Sequence, residues 1–253
     1  VVESAAAGSP SPGRRILESN PGLSPARHRG IAEASYDHVC YFDDDVRVAP
    51  DWLFGCAEAL DTLQADCVVG PVFPVLEQDI PSYVSQRVLA SLCSSYSRKG
   101  SEMIVLPPET AHEVPGCNFA VSRKVAVELG GFTPEFGRLS GMRQSGDDFE
   151  FGQRLAATGK RVVYQPRGSI EHMITAAKLD KAWFRMRWYA DGLANRQSNR
   201  NPAFMESAWG RTRAAAGILR LALLSIVCAC AGRRAPSFEY ELNARKALGY
   251  FRG

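Results

Sequence analysis

Apolar and polar positions fall along this chain in blocks that predict strands and helices in turn. Val39-Cys40-Tyr41-Phe42 is a short β-prone run, read as a buried strand, that stops at three carboxylates, Asp43-Asp44-Asp45. Ahead of it Ile16-Leu17 is a short candidate strand, Asn20-Pro21-Gly22 makes a turn, and Ser24 is placed to cap a helix over residues 25–34. Behind it Leu53, Ala57 and Leu60 recur at helical spacing in a helix that Pro50-Asp51-Trp52-Leu53 opens and that runs to about Leu63. Cys67-Val68-Val69-Gly70 reads as the next buried strand and closes a βαβ unit.

Beyond that unit the pattern loosens. Pro71, Pro74 and Pro81 interrupt it, residues 83–96 fit a helix, and the stretch to Pro108 reads as an insertion over one edge of the sheet. Residues 114–121 read as a loop running into a strand, after which Ser122 caps a helix that ends at Gly130-Gly131. A Gly-, Pro- and Arg-rich loop fills residues 132–143. Gly146-Asp147-Asp148 then opens a helix with Phe149, Phe151 and Leu155 at its apolar positions, ended by Gly159. Arg161-Val162-Val163-Tyr164 is the last predicted strand, and His172 follows it.

The tail differs in kind. Trp183, Phe184, Arg185, Arg187, Trp188 and Tyr189 interleave aromatics with cations, a mixture suited to a membrane headgroup region. Residues 214–232 are almost wholly apolar, yet Arg220 in their midst would cost about 2.5–3.5 kcal/mol in a true span. Three placements fit: a helix lying in the interface, which we prefer, a helix packed on the domain, and a span.

Composition narrows the picture. The net charge of +3 and pI near 8.5 are too mild to announce a nucleic-acid binder. Seven scattered cysteines, odd in number and set in apolar runs, read as buried reduced thiols of a reducing compartment. No basic region with an apolar core opens the chain as a secretory signal would, and its first residue, Val1, suggests a fragment or processed piece.

The chemistry lies at the element ends. In an open α/β sheet ligands bind beyond the carboxyl ends of strands, where Asp43 to Asp45 are expected. Adjacent carboxylates suit a hard divalent cation, and a solvated Asp-rich turn is the competing reading. Asp147 and Asp148 at a helix start could serve as acid or base, against simple stabilisation of the helix dipole. Arg27, His28 and Arg29 near another helix start oppose that dipole unless an anion lies nearby, and solvated surface arginines compete with that reading.

Taken in order, these motifs resemble a known family. The run from Asn20 to Gly30 (Asn-Pro-Gly-Leu-Ser-Pro-Ala-Arg-His-Arg-Gly), followed by Phe42-Asp43-Asp44-Asp45, resembles the nucleotide-sugar half of family 2 glycosyltransferases of the GT-A-type fold. Gly116-Cys117-Asn118-Phe119-Ala120, Gly130-Gly131-Phe132, Gly146-Asp147-Asp148-Phe149-Glu150 with Arg154, and Tyr164-Gln165-Pro166 ending in His172 resemble its acceptor half. The resemblance implies a GT-A-type, Rossmann-like, mostly parallel sheet flanked by helices over residues 1–189, while residues 190–253, from their own pattern, are expected to form a helical, membrane-associated extension.

It also implies inverting transfer of a sugar from a nucleoside-diphosphate sugar to an acceptor hydroxyl; we expect that acceptor to be a glycan or lipid-linked glycan and, from the thiols and the tail, place the protein at the cytoplasmic face of the cell membrane. Carried over, Asp43 and Asp44 bind the donor, with Asp43 at its ribose, and Asp45 holds Mg²⁺ or Mn²⁺ on the diphosphate. Asp148 is the catalytic base with Asp147 beside it, and His172 joins the metal or phosphate site. Arg27 faces the nucleotide, Asn118, Glu150 and Arg154 support the acceptor side, and Glu3 stands where the family often has a base-contacting Asp. Val1-Val2-Glu3 matches the family's second strand, so the first βα unit is expected to be missing. That gap keeps a second expectation alive, a catalytically impaired nucleotide-binding or scaffolding homologue.

Overall fold

Cys67–Val69 has no polar position, and all three residues are buried, as a strand covered on both faces requires. In the computed structural model, which describes residues 14–92, 100–133, 146–197 and 208–252, this strand is the centre of a five-stranded sheet. The order is β1 (His38–Phe42), β6 (Asn118–Ser122), β3 (Cys67–Val69), β7 (Val162–Tyr164) and β5 (Ile104–Val105). A second sheet sets β8 (Ile170–Ile174) between β2 (Val46–Val48) and β4 (Val72–Leu76).

The class is α/β, with helices flanking the sheets, as the alternation of patterns predicts. The strand directions differ from the expected mostly parallel sheet. β3 and β7 pair in parallel, whereas β6 runs antiparallel to both β1 and β3, and β5 antiparallel to β7. The crossover from β1 to β3 through α2 (Trp52–Leu63) is present, but a strand arriving later in the chain inserts between its two ends. β1 is therefore the last described strand on its side, and its residues alternate between exposed and half-buried instead of lying fully buried.

Alternation along the strands feeds two cores. Phe119 and Tyr164 point to one face, against Ile31 of α1 (Leu23–Glu33) and Phe151 and Leu155 of α6 (Asp147–Ala157). Their neighbours Ala120 and Val163 point to the other, against Trp52, Cys56 and Ala59 of α2. This period of two is the pleat of a strand.

Other expectations shift locally. α1 starts at Leu23 with Gly22, at φ 139°, as its N-cap; Ser24 lies inside the first turn with its hydroxyl buried and unpartnered. Ser122 does cap α5 (Arg123–Glu128), accepting from the Val125 amide. Of the helix expected over 83–96, the described residues contain α3 (Gln86–Ala90), capped by Ser85. A short α4 (Pro108–Ala111) precedes β6. Ile16-Leu17 lies exposed outside any strand. Cys40 and Cys230 are exposed, contrary to the expectation of buried thiols, because each falls on the outer side of its element. The strand at Val1-Val2, Glu3, and most of the 132–143 loop lie outside the described residues.

The C-terminal helices are α7 (Lys181–Gln197), α8 (Ala208–Cys230) and α9 (Arg234–Arg252). α7 runs through residue 189, where the boundary between domain and extension is expected. Two of its aromatics turn inward: Phe184 and Trp188 are buried in a third core with Phe238 and Leu242 of α9, and Trp183 packs at its edge. The crossing of α7 and α9 is close enough to demand glycine. A Cβ on Gly249 would stand 2.2 Å from the Tyr189 carbonyl oxygen, and one on Gly192 2.0 Å from that of Lys246. α8 joins α9 by reciprocal bonds between Ser225 and Ser237. Its outer face leaves Leu219, Leu223, Ile226 and Val227 exposed.

Candidate active site

Arg27 is the hinge of the candidate site. α1 carries it inward, so it is not a solvated surface arginine. Its Nη1 donates to Asp147 Oδ2 at 2.8 Å, and its Nη2 donates to the Gly116 carbonyl at 2.7 Å. The same Nη2 lies 3.7 Å from Asp43 Oδ1, and the guanidinium sits over the Phe132 ring. One buried cation thus ties the carboxylates after β1 to those at the start of α6.

Gly116 closes the cluster from the loop before β6. Its amide donates to Asp148 Oδ2 at 3.0 Å, while Asp148 Oδ1 accepts from the Phe149 amide at 2.9 Å. A Cβ at Gly116 would stand 2.6 Å from Asp148 Oδ2 and 2.7 Å from Arg27 Nη2, so the close approach leaves room for no side chain. Cys117 registers both carboxylate groups at once. Burial pushes its thiol up to about 12, and the charges of Asp43 and Asp148 both add to that rise. Asp147 is raised too, first by burial and then by Asp148, with Arg27 pulling the other way. Asp148 is half-buried and has no cation on it among the described contacts, which leaves it the more available of the pair.

Asp45 lies two residues beyond Asp43, at most about 7.6 Å between Cα atoms given 3.8 Å per peptide. It meets His172, brought in by β8, whose register sets His172 opposite Val46. Asp45 Oδ1 is 3.3 Å from His172 Nε2 without a hydrogen bond, and Asp45 Oδ2 accepts from Lys178 Nζ at 2.5 Å. Burial opposes ionisation of Asp45, but the hydrogen bond from Lys178 and the charges of His172 and Lys178 outweigh it and hold the carboxyl below its ordinary value. Asp45 Oδ1 and His172 Nδ1 are buried polar atoms without hydrogen-bond partners. Among the described residues no third His, Cys, Asp or Glu joins them in a metal-holding group. Asp45 Oδ1 and the His172 Nε2 that faces it at 3.3 Å are the two atoms that could share a divalent ion whose remaining ligands come from a phosphate-bearing molecule, while His172 Nδ1 lies on the other side of the ring.

The other expected residues fall into place around this core. Asp44 is exposed beside Asp43. Asn118 is wholly buried and spent: it accepts from Trp52 Nε1 at 2.7 Å and donates to the carbonyls of Pro71 and Gly168, so it clamps the sheets and does not face an acceptor. Arg154 grips Glu150 with two bonds of 2.7 Å and donates to the carbonyls of Leu129 and Gly131, fastening α6 to the turn after α5. It supports the helix and not Asp147 or Asp148 directly. Two participants escape sequence reading, Gly116 through its backbone and Lys178. Lys178 is a lone lysine with no pattern around it, and only the fold sets it against Asp45.

Comparison with known proteins bears on the family. The model of glycosyl transferase family 2 matches residues 2–130. A glucosyl-dolichyl phosphate glucuronosyltransferase of Haloferax volcanii is 23% identical over 181 residues, 71% of this chain and 56% of the relative. A pre-mycofactocin glycosyltransferase of Mycobacterium tuberculosis is 27% identical over 151 residues, 60% of this chain and 30% of the relative. The chain thus spans little more than half of the first of these relatives and less than a third of the second. Among solved structures, GalNAc-T7 with UDP, GalNAc and Mn2+ aligns at 16% identity and a TM-score of 0.41, over 72% of this chain and 38% of that one.

Proposed function

Since the chain belongs to glycosyl transferase family 2, we propose that it moves a sugar, with inversion, from a nucleoside-diphosphate sugar to an acceptor hydroxyl of a glycan or lipid-linked glycan. The observation that carries this reading is the convergence on Arg27, which holds Asp147 at 2.8 Å and has Asp43 at 3.7 Å. A sugar transferred between two substrates must lie between a donor-holding group and a proton-accepting one, and the approach of the Asp43 and Asp147 carboxylates to one guanidinium supports that reading. The name of the Haloferax relative specifies a dolichyl-phosphate-linked acceptor, which supports the lipid-linked arm of the proposal.

Asp148 takes the proton of the attacking hydroxyl, a role worth about 10²–10⁴-fold in rate for a positioned carboxylate. Asp147, clamped by Arg27, fixes the first turn of α6 and so the direction in which Asp148 points. Asp43 and Asp44 engage the sugar nucleotide. Asp45 and His172 would hold Mg²⁺ or Mn²⁺, and such an ion supplies Lewis-acid stabilisation to the charge that builds on a departing diphosphate. We place the protein at the cytoplasmic membrane surface, with the apolar outer face of α8 against lipid.

A screen of sugar nucleotides, reading nucleoside diphosphate release, tests the proposal. Asp148→Asn is expected to bind the donor and lose turnover, and Asp45→Ala to lose donor binding in Mn²⁺. An Asp148→Asn protein that turns over at the wild-type rate would remove the base. Donor binding by the wild type with no transfer to any acceptor would favour the impaired homologue instead.

A further inference from the structure

We propose that Lys178 is a donor-positioning residue: its ammonium counter-charges Asp45 in the free protein and passes to a diphosphate oxygen when a nucleoside diphosphate enters. The inference rests on the reading of Asp45 and His172 given above. Lys178 Nζ is 2.5 Å from Asp45 Oδ2 and 3.4 Å from His172 Nε2. Its 3-10 turn, Ala176–Leu179, is fastened at both ends. The Ala176 amide donates to Glu77 Oε2 at 2.7 Å, and the fully buried Leu179 accepts from the Tyr83 hydroxyl through its carbonyl at 2.7 Å. The backbone is therefore fixed, while the four-carbon stem lets the ammonium swing.

The ammonium occupies one oxygen of Asp45, and the other, Oδ1, is buried without a hydrogen bond. A divalent ion arriving alone must share this carboxylate with Lys178, two cations within a few ångströms of one another. A diphosphate removes the conflict, since its several oxygens can accept from the ammonium and coordinate the ion together. Lys178 thus works against the ion by itself and in favour of the diphosphate. Loss of its charge is expected to move the two affinities in opposite directions, which a residue that merely holds its turn would not do.

The experiment uses the full chain and Lys178→Gln. Mn²⁺ binding is followed by the paramagnetic resonance of the free ion, and UDP, GDP, CDP and dTDP are then titrated in turn by calorimetry in saturating Mn²⁺. The variant is expected to bind Mn²⁺ alone about tenfold more tightly and the preferred diphosphate about tenfold more weakly, the scale of one charge-assisted hydrogen bond. Lys178→Arg, which keeps the charge, is expected to recover part of the diphosphate affinity. Weakening of both affinities together, or no change in either, overturns the proposal and leaves the donor reading standing. A wild type that binds none of the four diphosphates, with or without Mn²⁺, overturns the donor reading and this inference with it.

Discussion

At the scale of single residues, the site depends on groups whose charge is matched at close range in a buried place. Arg27 and Asp147 are both nearly inaccessible, so removing one strands the other. Arg27→Ala is expected to cost about 3–5 kcal/mol in denaturant unfolding, the scale for a buried pair broken from one side. Arg27→Ala paired with Asp147→Asn should recover part of that loss, because the buried Asp147 carboxylate is no longer left without its cation. A loss below about 1 kcal/mol, the scale of exposed pairs, would mean that the guanidinium reaches water. Gly116→Ala is expected to lose activity with smaller effect on folding, since its Cβ would displace the Asp148 carboxylate and the Arg27 side chain together. Circular dichroism beside a turnover assay separates the two effects.

At the scale of elements, Asn118 joins α2, the β3–β4 turn and the turn before β8. Asn118→Ala would leave two carbonyls and an indole N–H short of partners, each worth about 1–3 kcal/mol when buried. We expect a loss of at least about 2 kcal/mol in unfolding free energy, and with it a drift of β8 that weakens the Asp45–His172 contact. The α7–α9 pair has its own electrostatic lock, in which Glu241 accepts from Arg185 and Arg245. Burial resists ionisation of Glu241, but the two arginines outweigh it and hold the carboxyl below its ordinary 4.5. The unfolded chain therefore binds this proton more tightly. The contribution is full above about pH 4.5 and drains away as pH falls through the lower folded value. Because the partners are partly exposed, Glu241→Gln is expected to cost about 0.5–1 kcal/mol at pH 7, a cost that shrinks as pH falls through the lowered folded value, which thermal melts from neutral into acid pH would show.

For the whole molecule, the question is what covers α8. Its segment Gly210–Cys230 is long and apolar enough by length and composition to cross a membrane, with a mean hydropathy of 1.8 and 6% of it buried. Arg211 and Arg213 near one end, Arg220 within it, and Arg233 and Arg234 at the other are all exposed, which suits a helix lying among anionic headgroups better than one crossing them. The full chain is expected to float with phosphatidylcholine–phosphatidylglycerol vesicles and less with phosphatidylcholine alone. Leu223→Glu with Ile226→Glu should abolish flotation without loss of folded stability, both positions being exposed. A wild type that stays with the soluble fraction at low salt in both cases would remove the membrane from the proposal.

Much of this was legible in the chain itself. The apolar runs at Cys67–Val69 and Val162–Tyr164, the Gly130-Gly131 stop, and the acidic helix start at Asp147-Asp148 follow from periodicity and local backbone chemistry, which act over a few residues. Tertiary structure alone decided what depends on distant partners. It placed β6 between β1 and β3, buried Asn118 and the α7 aromatics, and set Lys178 against Asp45 across 133 positions of sequence. Strand direction and ion pairing are properties of neighbours in space: the place of Arg27 near a helix start hints at an anion, but which carboxylates it meets is set by the fold.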